Sequence, residues 1–518
     1  MTPATQTPPS TNQASTAPRP DGRALSITGS QRRITGSQPS VRRSLTPPTV
    51  RAVGITHQPP EAAAAPRLAA GPDRKGAMAP ITGLRWVVSL WVVLLHTSFG
   101  AIAADIAPRY VAQGGILALA GYILAALGRF AAFAFAGTSL FLVLGGYALA
   151  VGTLSPEHGG MTRSAKSLWR SRLLRFAPLL VLTQALRIPQ FILAHGDRPW
   201  GDVAASIGVN LLGQQAWFPT YVWDLNDPSW TMTVLLTSWA LFPWIGPRIA
   251  RLTPRAALAG LVAGITFSLS VATVVLLVHG ESNADHTATD YWLSWLHTNP
   301  LVRIPEFLVG VLLARVHRGY AGWIAARAQV ILSIGVVALL VACILNTVVV
   351  PYVLMHNGIV IPIACLLFLG LTEIGAAQRA GTDAPQTPLA RLGSALTRWL
   401  GRPVFQRLGG AGFSLYLLHG VPLAGLIIAR NLVVGRPLLF GGRPESSSLW
   451  ELVLALLYVA ISGVVALHAH EKVVEPLTRW LGKRLRFWAA PAPQLSPAEA
   501  VLAVAGAEAT PERARHVA

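Results

Sequence analysis

The stretch LRWVVSLWVVLLH, Leu84 to His96, decides how the chain is read. It is apolar apart from Arg85, Ser89 and His96. A membrane helix bears a cost for every ionisable group it carries, and such groups face the bundle interior or a polar cavity. Eleven residues at 100° each return to within about 20° of whole turns, so Arg85 and His96 share a face, about 16 Å apart along the axis. Ser89 and Val92 lie between them on that face, which suggests one polar path along the helix. The residues alone leave His96 open as a catalytic base or as a hydrogen bonder in helix packing.

The rest of the chain is similar material. Of its 518 residues 52% are hydrophobic and 12% charged, with a mean hydropathy of +0.49. These values suggest an all-α, polytopic membrane bundle. Several apolar runs approach or exceed the roughly 20 residues that cross a bilayer as helix. The period-2 alternation of a membrane barrel is absent. Ten spans are expected, near 83–104, 130–152, 176–195, 230–247, 256–279, 300–316, 328–350, 357–375, 411–431 and 449–468. The apolar run 115–128 reads as an extra span, a re-entrant helix or an extension of the second span.

The net charge of +20 would suggest nucleic acid in a soluble protein. Here it fits the positive-inside rule, so no nucleic-acid partner is expected. Ten spans with the N-terminus inside put 33 of the 42 Lys and Arg in cytoplasmic segments, and both termini in the cytoplasm. The outer loop 280–299 has Glu281, Asp285 and Asp290 and no Lys or Arg. Residues 1–79 are rich in Pro, Ser, Thr, Ala and Arg without apolar periodicity. They are expected to be a disordered, basic cytoplasmic tail in contact with anionic lipid head groups. Residues 80–485 form the membrane domain and 486–518 a short C-terminal tail.

Arg172 and Arg175, in SLWRSRLLRFAPLL, are neighbours three apart before the third span. Paired guanidinium forks suit phosphate, and flanking cytoplasmic charge explains them equally well. Cys343 and Cys365 fall in apolar runs and read as inert buried thiols. His468 and His470 are two apart on a helix and do not converge on a metal. Histidines 279, 286 and 297 lie near acids in an outer loop, but no metal is predicted. Asp105 and Glu373, near expected helix ends, read as solvated acids. Tryptophans such as Trp223 and Trp230 read as interfacial anchors or as contacts for a polar ligand. No Walker loop, dinucleotide fingerprint, GxSxG or HExxH is present.

Seven phrases, in order over roughly 80–485, resemble the acyltransferase 3 family of integral membrane acyltransferases. They are ITGLRWVVSLWVVLLH, GTSLFLVLGGYALA, RSRLLRFAP, DPSWTMTV, RIPEFLVGVLLA, GFSLYLLHGVPL and EKVVEPLTRWL. The resemblance implies transfer of an acyl group, usually acetyl, from cytoplasmic acyl-CoA to a hydroxyl of an exported or lipid-linked glycan, at the cell (inner) membrane. It makes His96 the catalytic histidine and Arg85 its companion, with Arg172 and Arg175 on the CoA side. Glu306, His419, Ser229 and Trp230 match family positions of supporting role. The chain departs from the pattern at Leu235 and Leu236, where the family has carboxylates, and at Thr138 or Ser139, where an acid is common. Asp227 and Glu306 are the candidate replacements. A transporter or flippase, or a non-catalytic member of the family, is the alternative.

Overall fold

The computed structural model describes residues 78–155, 159–195, 197–279, 291–346, 349–422 and 448–484. Nearly all of the expected N-terminal tail, the C-terminal tail and the acids of the outer loop lie outside these residues. The described residues form helices and no strand. In chain order the principal helices are α1 (Ala79–Leu95), α2 (Phe99–Val111), α3 (Gly115–Ala132), α4 (Ala136–Thr153), α5 (Ala165–Ala194), α6 (Trp200–Leu211), α7 (Trp230–Ala250), α8 (Pro254–His279), α9 (Tyr291–Thr298), α10 (Pro300–Gly319), α11 (Ala328–Leu345), α12 (Val360–Ala380), α13 (Pro388–Leu400), α14 (Pro403–Leu418), α15 (Leu449–Ala469) and α16 (Glu475–Arg484).

Six described helical runs are long and apolar enough to cross a membrane, or seven when α1 and α2, bent by 67°, count as one. Ten were expected, and the difference has physical causes. α10 carries Arg303, Glu306 and Arg315, yet it is buried along most of its length by α4, α7, α8 and α12. A helix wrapped by protein need not be apolar. α7 mixes its apolar residues with Thr231, Thr233, Thr237, Ser238 and two prolines. α14 has 16 residues, and the expected span around it continues past the described ones. The run 115–128 is part of α3, which continues through one tight turn into α4, giving a 39-residue apolar stretch. Its exposed Ile116, Leu119, Tyr122 and Ile123 suit a hydrocarbon surround.

Small residues set the closest helix contacts, as packing in lipid favours. A Cβ at Gly146 of α4 would fall on the Phe307 carbonyl, and one at Gly310 of α10 on the Val143 carbonyl. α1 and α14 meet in the same way, with Gly409 against Thr82 and Gly412 against Arg85 and Ser89. These contacts fix directions. α1 and α14 run in parallel. So do α4, α10 and α12: Ser139, Arg303 and His356 meet at one end of the trio, and Tyr147, His317 and Glu373 at the other. At that second end the Tyr147 hydroxyl is 2.6 Å from His317 Nδ1, and His317 Nε2 is 2.5 Å from Glu373 Oε1. Glu373 is therefore a buried partner and not the solvated acid its place near a helix end suggested. Asp105 does lie open, paired with Arg109. Both cysteines are buried and free.

The α4–α10 contact makes a direct prediction. Gly310→Val has to push the two helices apart, at a cost of about 1–3 kcal/mol for overpacking. Gly152, with open space around its Cα, is the control. Thermal unfolding in detergent, followed by tryptophan fluorescence, should show Gly310→Val melting several degrees lower and Gly152→Ala unchanged or slightly higher.

Candidate active site

The expected first span, 83–104, is not one helix. α1 ends at His96, and α2 leaves at 67°. The residues after Leu95 are polar and turn back on the helix. His96 Nδ1 lies 2.8 Å from the Val92 carbonyl, and the Thr97 hydroxyl donates to the Leu94 carbonyl at 2.7 Å. Ser98 then adopts a left-handed conformation, φ 59°, uncommon for a residue with a Cβ. Side chains that satisfy the last carbonyls compete with the helix and end it. The Val92 carbonyl can only accept, so His96 Nδ1 carries the hydrogen. A neutral His96 therefore presents Nε2 as a bare lone pair.

His419 stands opposite, at the end of α14, with ring centroids 4.8 Å apart and planes tilted by 56°. Its Nδ1 is 2.8 Å from the Tyr416 carbonyl and 3.3 Å from that of Leu415, which fixes the same tautomer. The His419 ring is buried, and its Nε2 has no partner. The Tyr458 hydroxyl donates to the His419 carbonyl.

The loop before α7 closes this end. Asn226 Nδ2 donates to the Leu417 carbonyl at 3.0 Å. Arg187, from α5, donates to the carbonyls of Leu225 at 2.7 Å and Gly420 at 3.3 Å. These bonds hold the loop that carries Asp227, which is itself exposed. Arg187, and His96 when it is protonated, act on its carboxylate as positive charges. Ser229, two residues on, is fully buried. It is a buried hub, donating to the Asn226 carbonyl at 2.5 Å and accepting from Gln184 at 2.7 Å and Gln215 at 2.8 Å.

Arg85 lies toward the other end of α1, as expected. Arg172 and Arg175 of α5 are close enough to act electrostatically on one another, and Arg85 is within the same reach of both. Arg172 Nε is buried without a partner, and its guanidinium lies 5.8 Å from the Trp239 ring. Arg170 is drawn off to the Gly482 carbonyl at 2.9 Å. A π-helical turn, His470–Val474, brings His470 beside this cluster, with Nδ1 3.0 Å from the Ser414 hydroxyl. Converging guanidiniums with spare donors are chemically suited to an anion. The polar path expected along the α1 face is closed. Ser89 donates to the Gly412 carbonyl at 2.7 Å, and Val92 packs against Gly137.

Glu306 and Trp230 belong to a different cluster. Glu306 Oε1 is 2.7 Å from Arg303 Nη1 with both side chains fully buried. Arg303 also donates to the His356 carbonyl, Asn357 and Ser139, and lies over the Trp230 ring. Glu306 is thus engaged by its own helix neighbour, while Asp227 is electrostatically coupled to His96. Leu235 packs against the apolar cluster that includes Leu142, Trp230 and Ile304, and Leu236 lies with Leu180 beside Gly213. Among the described residues no set of three His, Cys, Asp or Glu is arranged to hold a metal.

A family model for the acyltransferase 3 domain matches residues 79–469. The chain belongs to the acyltransferase 3 family. Comparison with curated proteins gives no match, and neither does comparison with solved structures. Membership in a family of membrane acyltransferases agrees with the apolar helices. The motif reading singled out His96 and His419, which the fold sets beside one another, and Arg85, Arg172 and Arg175, which it brings within electrostatic reach. It missed Arg187, whose signal was a lone arginine within an apolar span, and His470, whose helix was taken as regular.

Ser229→Ala leaves two buried amide donors, of Gln184 and Gln215, without their shared acceptor. The expected cost is about 1–3 kcal/mol. It should appear as a lower melting temperature in detergent, and Ser229→Thr should recover part of it.

Proposed function

We propose that this protein moves an acyl group, acetyl in the first instance, from cytoplasmic acyl-CoA to a hydroxyl of an exported or lipid-linked glycan. The observation that carries the reading is the state of His96: Nδ1 held by the Val92 carbonyl, Nε2 bare, and Asp227 close enough to stabilise positive charge on the ring. Nε2 takes the hydroxyl proton as the oxygen attacks the thioester carbonyl. The new C–O bond forms and the C–S bond breaks. The CoA thiolate then takes the proton back from the imidazolium. Asp227 favours the imidazolium between the two proton transfers, the role a carboxylate plays beside a catalytic histidine. A route in which His96 itself carries the acyl group uses the same bare Nε2.

Arg85, Arg172 and Arg175 supply the phosphate end. The rise from Arg85 to His96 is about 16 Å, which the pantetheine arm has to bridge. It passes beside α1, since Ser89 and Val92 fill the face between the two residues. The strong basic bias of the predicted inner segments supports a cytoplasmic donor. The parallel runs of α1 with α14, and of α4 with α10 and α12, are those that alternating crossings produce. The acceptor then lies outside or at the outer leaflet of the inner membrane, with both termini in the cytoplasm.

The test uses a strain lacking the gene, complemented at matched membrane levels. NMR of surface glycans before and after mild alkali quantifies ester-linked acyl groups. Wild type should restore the ester, and His96→Ala should lower transfer by about 10²–10⁴-fold. Full restoration by His96→Ala would sink the assignment. Asp227→Asn should lower the rate without changing acyl-CoA saturation. Replacing both Arg172 and Arg175 by Gln should weaken that saturation by about tenfold or more, the loss expected for charged hydrogen bonds.

A further inference from the structure

His419 Nε2 is buried and has no partner. An unpaired buried acceptor is costly, and native proteins leave few of them. Its state follows from geometry. The hydrogen is on Nδ1, facing the Tyr416 carbonyl, so Nε2 can only accept. The ring cannot readily turn away to find a donor. Its turn is held at Leu417 by Asn226, at Gly420 by Arg187 and at its own carbonyl by Tyr458. His96, 4.8 Å away between centroids, presents the same atom in the same state. Asp227, which interacts electrostatically with His96, is also an acceptor, and Arg187 acts on it as a balancing charge.

Two bare imidazole nitrogens beside a charge-balanced carboxylate describe the ligand. It brings more than one hydrogen-bond donor, and it carries no charge. An ammonium would supply donors but would add a net positive charge beside Arg187. A lone lipid alcohol would satisfy one nitrogen and leave the other unpaired. Resting on the acyl-transfer reading, we propose that His419 Nε2 accepts a hydrogen bond from the hydroxyl adjacent to the one that His96 deprotonates, so that the protein acylates one member of a vicinal diol. The hydroxyl on His419 keeps its proton and is not acylated. His419 is then a positioning residue that sets regiochemistry.

The test compares membranes holding wild type, His419→Leu and His419→Gln at matched levels. They are given radiolabelled acetyl-CoA, and alkali-labile label on endogenous glycan is counted. Saturation by acetyl-CoA is measured in parallel, and NMR of the wild-type product locates the ester. His419→Leu should lose transfer by about tenfold, the worth of one hydrogen bond to a substrate hydroxyl, with acetyl-CoA saturation unchanged. His419→Gln, whose amide oxygen reaches toward the same point, should recover most of it. The ester should sit on a carbon whose neighbour bears a free hydroxyl. Wild-type transfer by His419→Leu, parallel loss of transfer and acetyl-CoA saturation in both variants, or an ester with no adjacent hydroxyl overturns the proposal. A wild type that transfers no label overturns the acyl-transfer reading itself, and this inference with it.

Discussion

The register between α1 and α14 governs the site. It is set by one hydrogen bond, from the Ser89 hydroxyl to the Gly412 carbonyl at 2.7 Å, and by glycines that let the backbones touch. Both helices run the same way. Seven residues beyond Ser89 is His96, and seven beyond Gly412 is His419. Seven residues are close to two turns, so both histidines return to the shared seam at the same height. Each then ends its helix by bonding its Nδ1 to a carbonyl one turn back or less. A shift of one residue between these helices would turn one ring away from the other and separate the histidine pair.

How much of this was legible in the sequence follows from what sequence carries. Arg85, Arg172 and Arg175 were grouped by motif, and the fold brings them within electrostatic reach. That holds because helix periodicity determines which side of α1 and α5 they occupy. The break at His96 was missed because hydropathy sees only that Phe99, Ala101, Ile102 and Ala103 continue an apolar run. The polar trio His96, Thr97 and Ser98 carried the signal, as side chains able to capture the last carbonyls. Facing of His96 and His419 was not legible at all. It depends on a contact between residues more than 300 apart in the chain.

The departures at Leu235 and Leu236 illustrate a second limit. Motif comparison marks a missing carboxylate but does not say what the surrounding space holds. In this chain both leucines are half-buried against apolar clusters, a setting that suits leucine better than a carboxylate. The nearby loop offers Asp227 instead, fixed by Arg187 and by the Asn226 bond to α14. Glu306, the other candidate from sequence, is committed to Arg303. Asp227 stands eight residues before Leu235, in the loop that opens α7.

Charge is divided along α1 in a way that suits transfer across an apolar layer. One end gathers guanidiniums with unspent donors. The other gathers two imidazole rings and a carboxylate beside Arg187. On the proposed reading, an anionic carrier would be held at the first end by its phosphates while a neutral arm extends. A neutral polyol would be suited to the second end, where the imidazole nitrogens accept its hydrogens. Between them, Ser89 and Val92 close the straight route along the helix face. On that reading selectivity at each end would come from hydrogen-bond polarity as much as from shape, with the packed α1–α14 seam between the two.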